Sequence, residues 1–189
     1  ADKWADVTPS QRSQALQQAA DAMEADILRL IGILVREAGK TYANAVAEVR
    51  EAVDFLRFYS AQVETQFNNA THRPLGVVTC ISPWNFPLAI FTGQIAAALA
   101  AGNVVIAKPA EQTNLVAAAA VQLLHEAGVP PYALQLLAGK GKDIGPYLTN
   151  DERVQGVMFT GSTEVARDLQ RGLAKRLGKD GRPIPLVAE

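Results

Sequence analysis

The chain has 189 residues, of which 49% are apolar and 20% charged, and its 18 basic and 19 acidic residues leave a formal net charge of −1. That length is sufficient for one globular domain with a substantial core. The balanced charge gives no electrostatic case for nucleic acid binding, and no apolar stretch approaches the ~20 residues of a membrane span. The single cysteine, Cys80, excludes an internal disulfide and favours a reducing compartment, so we expect a cytoplasmic protein.

The first part of the chain predicts two amphipathic helices. Thr8-Pro9-Ser10-Gln11 has the form of a capping box with proline at the first helical position. Apolar residues then recur at helical spacing, which predicts one helix as far as a stop at Gly39. A second amphipathic helix follows Thr41. Residues 64–74 are polar and typical of a loop, so we expect residues 1–74 to form a helical segment with a connecting loop.

From residue 75 onward, short apolar runs alternate with helical patterns. The apolar runs lie at 76–81, 103–107, 134–138 and 155–160, and the helical stretches lie at 88–101, 113–127, 141–149 and 162–177. Alternation at this spacing indicates βαβ units with right-handed crossovers in a parallel sheet. We therefore predict an α/β fold in which residues 75–189 form a Rossmann-like parallel sheet.

Short segments that contain polar side chains follow three of the predicted strands. They are Pro83-Trp84-Asn85-Phe86-Pro87, Lys108-Pro109-Ala110-Glu111 and Phe159-Thr160-Gly161-Ser162-Thr163. Open α/β sheets bind their ligands in the crevice at the carboxyl ends of the strands. The three segments therefore supply the candidate functional side chains.

Each segment supports a specific chemistry beside a purely structural explanation. The Asn85 amide can stabilise a developing oxyanion, although Asn in a loop commonly bonds its own turn. Lys108 and Glu111 can bind ribose hydroxyls, or they can form a surface ion pair of little energetic value. A carboxylate at Glu111 would repel a 2′-phosphate and favours NAD over NADP. Gly161 permits close backbone approach, and Ser162 can cap a helix whose N-terminus faces a phosphate.

We interpret Cys80 and a glycine-rich stretch as structural, although each could have a function. Cys80 is the only thiol and thus a candidate nucleophile, but it lies within an apolar strand without a basic neighbour to lower its pKa. The stretch Gly139-Lys-Gly-Lys-Asp-Ile-Gly145 lacks the spacing of the dinucleotide fingerprint, and we interpret its glycines as serving a turn. The spacing of His, Cys and carboxylate residues suggests no metal site.

Together the three polar segments resemble the aldehyde dehydrogenase superfamily, and the resemblance covers nearly the whole chain. It implies NAD-dependent oxidation of a small-molecule aldehyde, with the Asn85 amide holding the oxyanion. It assigns the cofactor contacts to Lys108, Glu111, Gly161, Ser162, Pro83 and Trp84, and we expect the Trp84 side chain to pack within the Asn85 loop. Lys108 and Glu111 correspond to the residues that bind the adenosine ribose, and Gly161 and Ser162 to those that lie against the pyrophosphate.

The end of the chain resembles the strand that leads to the general-base glutamate of the superfamily. Glu189 would then activate the water that hydrolyses a thioester, and we expect this terminal residue to be disordered. The nucleophilic cysteine of the superfamily lies beyond this position. We therefore expect a fragment of a longer oxidoreductase, inactive by itself.

Longer stretches narrow the resemblance to one branch. They are Arg36–Thr41 leading into Glu48–Tyr59, Ile81–Gln94 and Gly181–Glu189. They resemble the L-glutamate γ-semialdehyde (Δ1-pyrroline-5-carboxylate) dehydrogenase module of bacterial proline utilization A enzymes. The resemblance implies a bifunctional parent in which an FAD-dependent proline dehydrogenase precedes this segment. Glu51 lies on a helix that lines the aldehyde tunnel in the superfamily, where it can contact the substrate's amino group or face solvent, and we favour solvent.

Several alternatives stay open at this level. The same scaffold supports other aldehyde substrates and also acyl-phosphate reductases, which do not require a hydrolytic glutamate. A non-catalytic nucleotide-binding module is an alternative of another class. A homo-oligomer of the parent is compatible with the resemblance, but only about a dozen polar residues occupy the interval where many relatives carry an oligomerisation hairpin, so no assembly state is predicted.

Overall fold

The computed structural model describes residues 2–189. Within that range, helices and strands follow one another as α1 (Asp2–Ala5), α2 (Pro9–Ala25), α3 (Ile27–Glu37), α4 (Tyr42–Gln66), β1 (Val77–Ile81), α5 (Ala89–Ala100), β2 (Val104–Lys108), α6 (Asn114–Glu126), β3 (Leu134–Leu136), α7 (Gly141–Asn150), β4 (Val154–Phe159), α8 (Thr163–Leu173) and β5 (Leu186–Ala188). The strand–helix alternation predicted from residue 75 onward is confirmed.

The N-terminal helices begin where their caps predict, but the first predicted helix is divided. The Thr8 hydroxyl accepts a hydrogen bond from the Gln11 backbone N–H, which completes the predicted capping box. The prediction of one helix up to Gly39 is wrong, because Asp26 leaves helical geometry and separates α2 from α3. The apolar periodicity does not reveal this break, since Met23 before it and Leu30 after it are both fully buried.

The five strands of the described chain form one parallel sheet in the order β3-β2-β1-β4-β5. In β1, Cys80 is paired in register with Ala107 of β2 and Met158 of β4. The strand order reverses between β1 and β4, because the chain returns from the β3 edge to the far side of β1. Such a reversal opens a crevice at the carboxyl ends of the two strands, where doubly wound sheets bind ligands.

Side chains alternate between the two faces of the sheet. On β1, Val78 and Cys80 enter the large core formed with α2–α6, whereas Val77 and Ile81 pack toward a smaller core with β4 and α8. Thr79, on the same face as Val77, donates a hydrogen bond to the carbonyl oxygen of Leu148 in α7. The helices α5 and α6 therefore cover one face and α7 and α8 the other, with the N-terminal helices packed over α5 and α6.

Arg12 of α2 joins the N-terminal helices to the sheet layer. Its side chain is only 2% exposed, and its Nε donates to the carbonyl oxygen of Ala100 at the C-terminus of α5, at 2.9 Å. It also donates to the Val7 carbonyl and the Asn69 side chain. A cation at a helix C-terminus is electrostatically favourable. None of the helices within residues 2–189 has the length and apolar character needed to cross a bilayer.

Candidate active site

A cavity of about 1180 Å³ lies at the carboxyl edge of the sheet, across the β1–β4 reversal. The segments after β1, β2 and β4 contribute to its wall, together with Glu189 after β5. The structure brings all of the sequence-predicted site residues to this cavity: Pro83, Trp84, Asn85, Lys108, Glu111, Gly161, Ser162 and Glu189. Their convergence follows from topology, because parallel strands present their carboxyl ends at one edge.

The Asn85 loop leads from β1 into α5 and exposes its central residues. Asn85 is exposed toward the cavity, between a half-buried Pro83 and a buried Pro87. The expectation that Trp84 packs within the loop is wrong, because its side chain is 59% exposed and lines the cavity. The loop is braced instead by a contact from outside it. An indole at the cavity wall can instead offer an apolar surface to a ligand.

That bracing comes from Glu48 of α4, which the sequence interpretation missed. Glu48 is 2% exposed, and its Oε2 accepts hydrogen bonds from the backbone N–H groups of Leu88 and Ala89, at 3.2 and 2.9 Å. Its Oε1 accepts from Lys40 Nζ at 2.9 Å. Glu48 therefore caps α5, which has no N-cap side chain of its own. Its position on the buried face of α4, between Ala45 and Ala52, is the signal that sequence reading could have used.

Lys108 ends β2 as a buried cation in the cavity wall. The residue is 4% exposed, and its Nζ donates to the Pro109 carbonyl oxygen at 2.8 Å. Burial lowers the pKa of Lys108, while the nearby Glu111 carboxylate acts in the opposite direction. The surface ion pair considered for these two residues is excluded, because Lys108 is buried and no salt bridge of the described residues includes it. A buried ammonium with one carbonyl partner retains donors for a polar ligand.

The turn between β4 and α8 brings a helix N-terminus to the cavity. The Ser162 Oγ accepts from the Val165 backbone N–H at 3.3 Å, so its predicted capping role is confirmed. A Cβ at Gly161 would lie 2.7 Å from the Phe159 ring, so a larger residue there must displace that ring. At α6, in contrast, the terminal N–H groups of Leu115 and Val116 are already bound by the carboxylate of Glu37. The N-terminus of α8 is therefore the better place for an anion.

The backbone of Glu189 is hydrogen-bonded on both sides, which differs from the disorder that we expected for a terminal residue. Its backbone N–H donates to the Phe159 carbonyl oxygen at 3.1 Å, and its carbonyl oxygen accepts from the Gly161 N–H at 3.2 Å. These bonds extend the parallel pairing of β5 with β4 past Ala188. The Glu189 side chain is exposed at the cavity wall.

Polar groups beneath the Asn85 loop were also missed by sequence reading. Gln94 of α5 donates from Nε2 to the Ile81 carbonyl oxygen and to Thr160 Oγ1, at 3.3 and 3.1 Å. It thereby ties the end of β1 to the turn after β4. Ser82 lines the cavity with 5% exposure, and its hydroxyl has no hydrogen-bond partner within residues 2–189. A buried hydroxyl without a protein partner favours a polar ligand or water beside it.

The other sequence interpretations have separate outcomes. Cys80 is 1% exposed in the large core and its burial raises its pKa, which supports its structural interpretation. Gly141 and Gly145 of the glycine-rich stretch border the cavity, a position compatible with a minor role in cofactor binding. Glu51 is exposed on α4, as we favoured. Among residues 2–189 there is no group of three or more His, Cys, Asp or Glu side chains that could hold a metal ion.

The chain is similar in sequence to known proteins. The profile of the aldehyde dehydrogenase family matches residues 1–180. The chain is 66% identical over 186 residues to the bifunctional protein PutA of Escherichia coli strain K12. The matched region covers 98% of this chain and 14% of that protein. The chain therefore spans only a small part of the length of this curated relative.

Two solved structures share the fold. A substituted form of proline utilization A from Bradyrhizobium japonicum superposes with a TM-score of 0.91 at 48% identity, covering 100% of this chain and 20% of that one. The 1-pyrroline-5-carboxylate dehydrogenase from Thermus with bound NAD superposes with a TM-score of 0.89 at 35% identity, covering 100% of this chain and 39% of that one. Both structures are therefore similar to this chain in sequence as well as in fold.

Proposed function

Because the chain belongs to the aldehyde dehydrogenase family, we propose that it forms the cofactor-binding and oxyanion-binding part of an enzyme that oxidises L-glutamate γ-semialdehyde to L-glutamate in proline catabolism. The observation that carries the proposal is the convergence of Asn85, Lys108, Gly161 and Glu189 on one cavity. We assign the described residues as far as 74 to its helical segment and connecting loop. We also propose that an FAD-dependent proline dehydrogenase precedes it in the full-length protein, and the similarity to a relative named as bifunctional supports a second activity there.

The residues that line the cavity and the geometry of the turn after β4 support NAD as its ligand. Lys108 ends β2 and Glu111 lies just after it. Lys108 can donate hydrogen bonds to the adenosine ribose hydroxyls, and Glu111 can accept hydrogen bonds from them. The Gly161–Ser162 turn offers the N-terminus of α8 to the pyrophosphate. Pro83 and Trp84 form an adjoining part of the wall, beside the unpartnered hydroxyl of Ser82. When bound, NAD accepts the hydride that leaves the aldehyde carbon.

The residues of this chain act on the two oxygens that change during the reaction. A cysteine thiolate attacks the aldehyde carbon and forms a C–S bond, and the carbonyl oxygen then carries a negative charge that the Asn85 amide N–H stabilises. After the aldehyde carbon is oxidised to a thioester, Glu189 takes a proton from the attacking water. The C–S bond then breaks, which releases the carboxylate product and the thiolate. Cys80 cannot supply that thiolate, because it is buried and its pKa is raised, so we expect it from another part of the full-length enzyme.

NADH formation by the full-length protein tests the proposal. We expect a strong preference for glutamate γ-semialdehyde over a simple aliphatic aldehyde. Equal or reversed rates would still support aldehyde dehydrogenase activity, but they would contradict glutamate γ-semialdehyde as the specific substrate. Absence of NADH with either aldehyde would favour a reductase or a non-catalytic nucleotide-binding module instead. The isolated chain is expected to produce no NADH with either aldehyde.

A further inference from the structure

We propose that Glu37 and Glu48 are positioning residues that hold two loops of the active site independently, Glu48 the Asn85 loop and Glu37 the Lys108–Glu111 loop. The inference rests on the function proposed for those loops. Both carboxylates belong to the N-terminal helices and lie in the stretches Arg36–Thr41 and Glu48–Tyr59, to which no catalytic role has been given. Neither carboxylate is among the residues that line the cavity.

Glu48 acts on the helix that follows the Asn85 loop. Its carboxylate receives the N–H groups of Leu88 and Ala89, which are the first backbone donors of α5. Asn85 lies three residues before Leu88 in the chain. Since the carboxylate is buried and both of its oxygens are engaged, the start of α5 has little freedom to shift relative to α4. The position of the Asn85 amide at the cavity is therefore set from α4.

Lys40 extends this contact to the loop itself. Its Nζ lies 2.9 Å from Glu48 Oε1 and 4.5 Å from the centroid of the Phe86 ring. A cation over an aromatic face at that distance is attractive, and Phe86 is the neighbour of Asn85. The ion pair thus contacts the backbone at the start of α5 through Glu48 and the Phe86 side chain of the loop through Lys40. Gly39 precedes Lys40 with a φ of 65°, a left-handed conformation that directs the chain from α3 into α4.

Glu37 makes the equivalent contact at α6. Its two carboxylate oxygens accept from the N–H groups of Leu115 and Val116, at 2.7 and 2.9 Å. The N-cap residue of α6, Thr113, gives no side-chain cap, and its hydroxyl is directed to the Ala110 carbonyl oxygen instead. The segment between Lys108 and α6 is therefore held at its far end by α3.

The two carboxylates also influence which helix receives the cofactor. A helix N-terminus carries a partial positive charge that attracts anions. At α5 and α6 that charge is already met by Glu48 and Glu37, whereas the N-terminus of α8 is capped by the neutral hydroxyl of Ser162. The N-termini of α5 and α6 are therefore less favourable positions for a pyrophosphate than that of α8. This arrangement predicts separable effects, because one carboxylate acts on the oxyanion donor and the other on the ribose contacts.

The test compares Glu48→Gln with Glu37→Gln in the full-length enzyme, by steady-state kinetics and by titration of NAD against intrinsic fluorescence. Glutamine keeps the shape but removes the charge and one acceptor. For Glu48→Gln we expect kcat to fall about tenfold or more with the Kd of NAD nearly unchanged, since small misplacement of a catalytic group costs up to ~10²-fold. For Glu37→Gln we expect the Kd of NAD to rise about tenfold while kcat at saturating NAD is retained, as for one lost hydrogen bond to a charged group.

Thr8→Ala serves as the matched control, because it removes the cap of α2 far from the cavity and should lower thermal stability without changing kcat or Kd. If Glu48→Gln fails to fold, Lys40→Met replaces it and must lower kcat, with recovery in Lys40→Arg. If Glu37→Gln fails to fold, Glu37→Asp, whose shorter side chain withdraws the carboxylate from α6, replaces it and must raise the Kd of NAD. Changes in kcat and Kd that follow thermal stability alike in all variants would overturn the inference. Loss of activity in Asn85→Ala but not in Glu48→Gln would overturn it while leaving the proposed function intact, whereas full activity in Asn85→Ala would reject the proposed function itself.

Discussion

The carbonyl oxygen of Glu189 accepts a hydrogen bond from the backbone N–H of Gly161, with 3.2 Å between the two atoms. The bond joins the end of β5 to the turn that opens α8. The proposed general base and the proposed pyrophosphate turn are therefore held by one backbone contact. A displacement of the turn after β4 is expected to affect both functions together.

Gly161→Ala should weaken cofactor binding and slow thioester hydrolysis in the same variant. The new Cβ would lie 2.7 Å from the Phe159 ring, so the ring or the turn must move. We expect the Kd of NAD to rise about tenfold, as for the loss of one hydrogen bond to a charged group. Fluorescence titration measures the binding, and single-turnover kinetics separate hydride transfer from hydrolysis. Gly172→Ala is the control, because Gly172 lines the same cavity on α8 but a Cβ there would meet no other side chain within 4 Å.

Asn85→Ala should lower kcat by ~10²-fold or more, as is typical when one oxyanion donor is removed. The side chain is exposed at the cavity, so we expect no loss of folding stability beyond that of an ordinary surface substitution. Steady-state NADH formation by the full-length enzyme measures the effect. Asn150→Ala is a matched control, because Asn150 lines the same cavity at the end of α7. An unchanged kcat in Asn85→Ala would remove Asn85 from the oxyanion role.

The affinity for NAD should fall at alkaline pH as Lys108 loses its proton. Burial lowers the pKa of Lys108 from its ordinary value of 10.5, so the loss begins at a lower pH than for an exposed lysine. In the pH interval between the folded and unfolded pKa values the unfolded chain still holds this proton, so the contribution of Lys108 to stability increases with pH there. Titration of NAD at a series of pH values measures the loss. In Lys108→Arg the loss of NAD affinity should occur at higher pH. A pH profile identical to that of the unsubstituted enzyme would contradict the assignment of Lys108 to the cofactor site.

Arg12→Met should destabilise the packing of α2 against α5. The substitution leaves the buried carbonyl oxygen of Ala100 without its guanidinium donor, whereas the partly buried Val7 carbonyl oxygen keeps the Asn69 amide, so we expect a cost of about 1–3 kcal/mol. Hydrogen exchange of α2 and α5 in the full-length protein, followed by mass spectrometry, measures the local free energy of opening. Arg57→Met is the matched control. Its side chain is 46% exposed and paired with Asp21 and Glu24, so its loss should cost less than ~1 kcal/mol.

The sequence alone determined the parallel sheet, the helix starts at Thr8 and Thr41, and the group of residues that meets at the cavity. These features depend on local patterns and on one topological rule. Alternating strands and helices with right-handed crossovers bring every strand's carboxyl end to the same edge. For that reason the positions of Asn85, Lys108 and Gly161 could be predicted without any knowledge of side-chain contacts.

Only the tertiary structure decided how those residues are held. The Glu48 contact with α5 spans 40 and 41 residues, the Glu37 contact with α6 spans 78 and 79, and the contact between Arg12 and Ala100 spans 88. Helical periodicity and capping preferences describe residues within about one turn of each other, so they carry no information about partners at such separations. A charged side chain finds its backbone partner only after the helices have packed, and it is buried there because that partner replaces water.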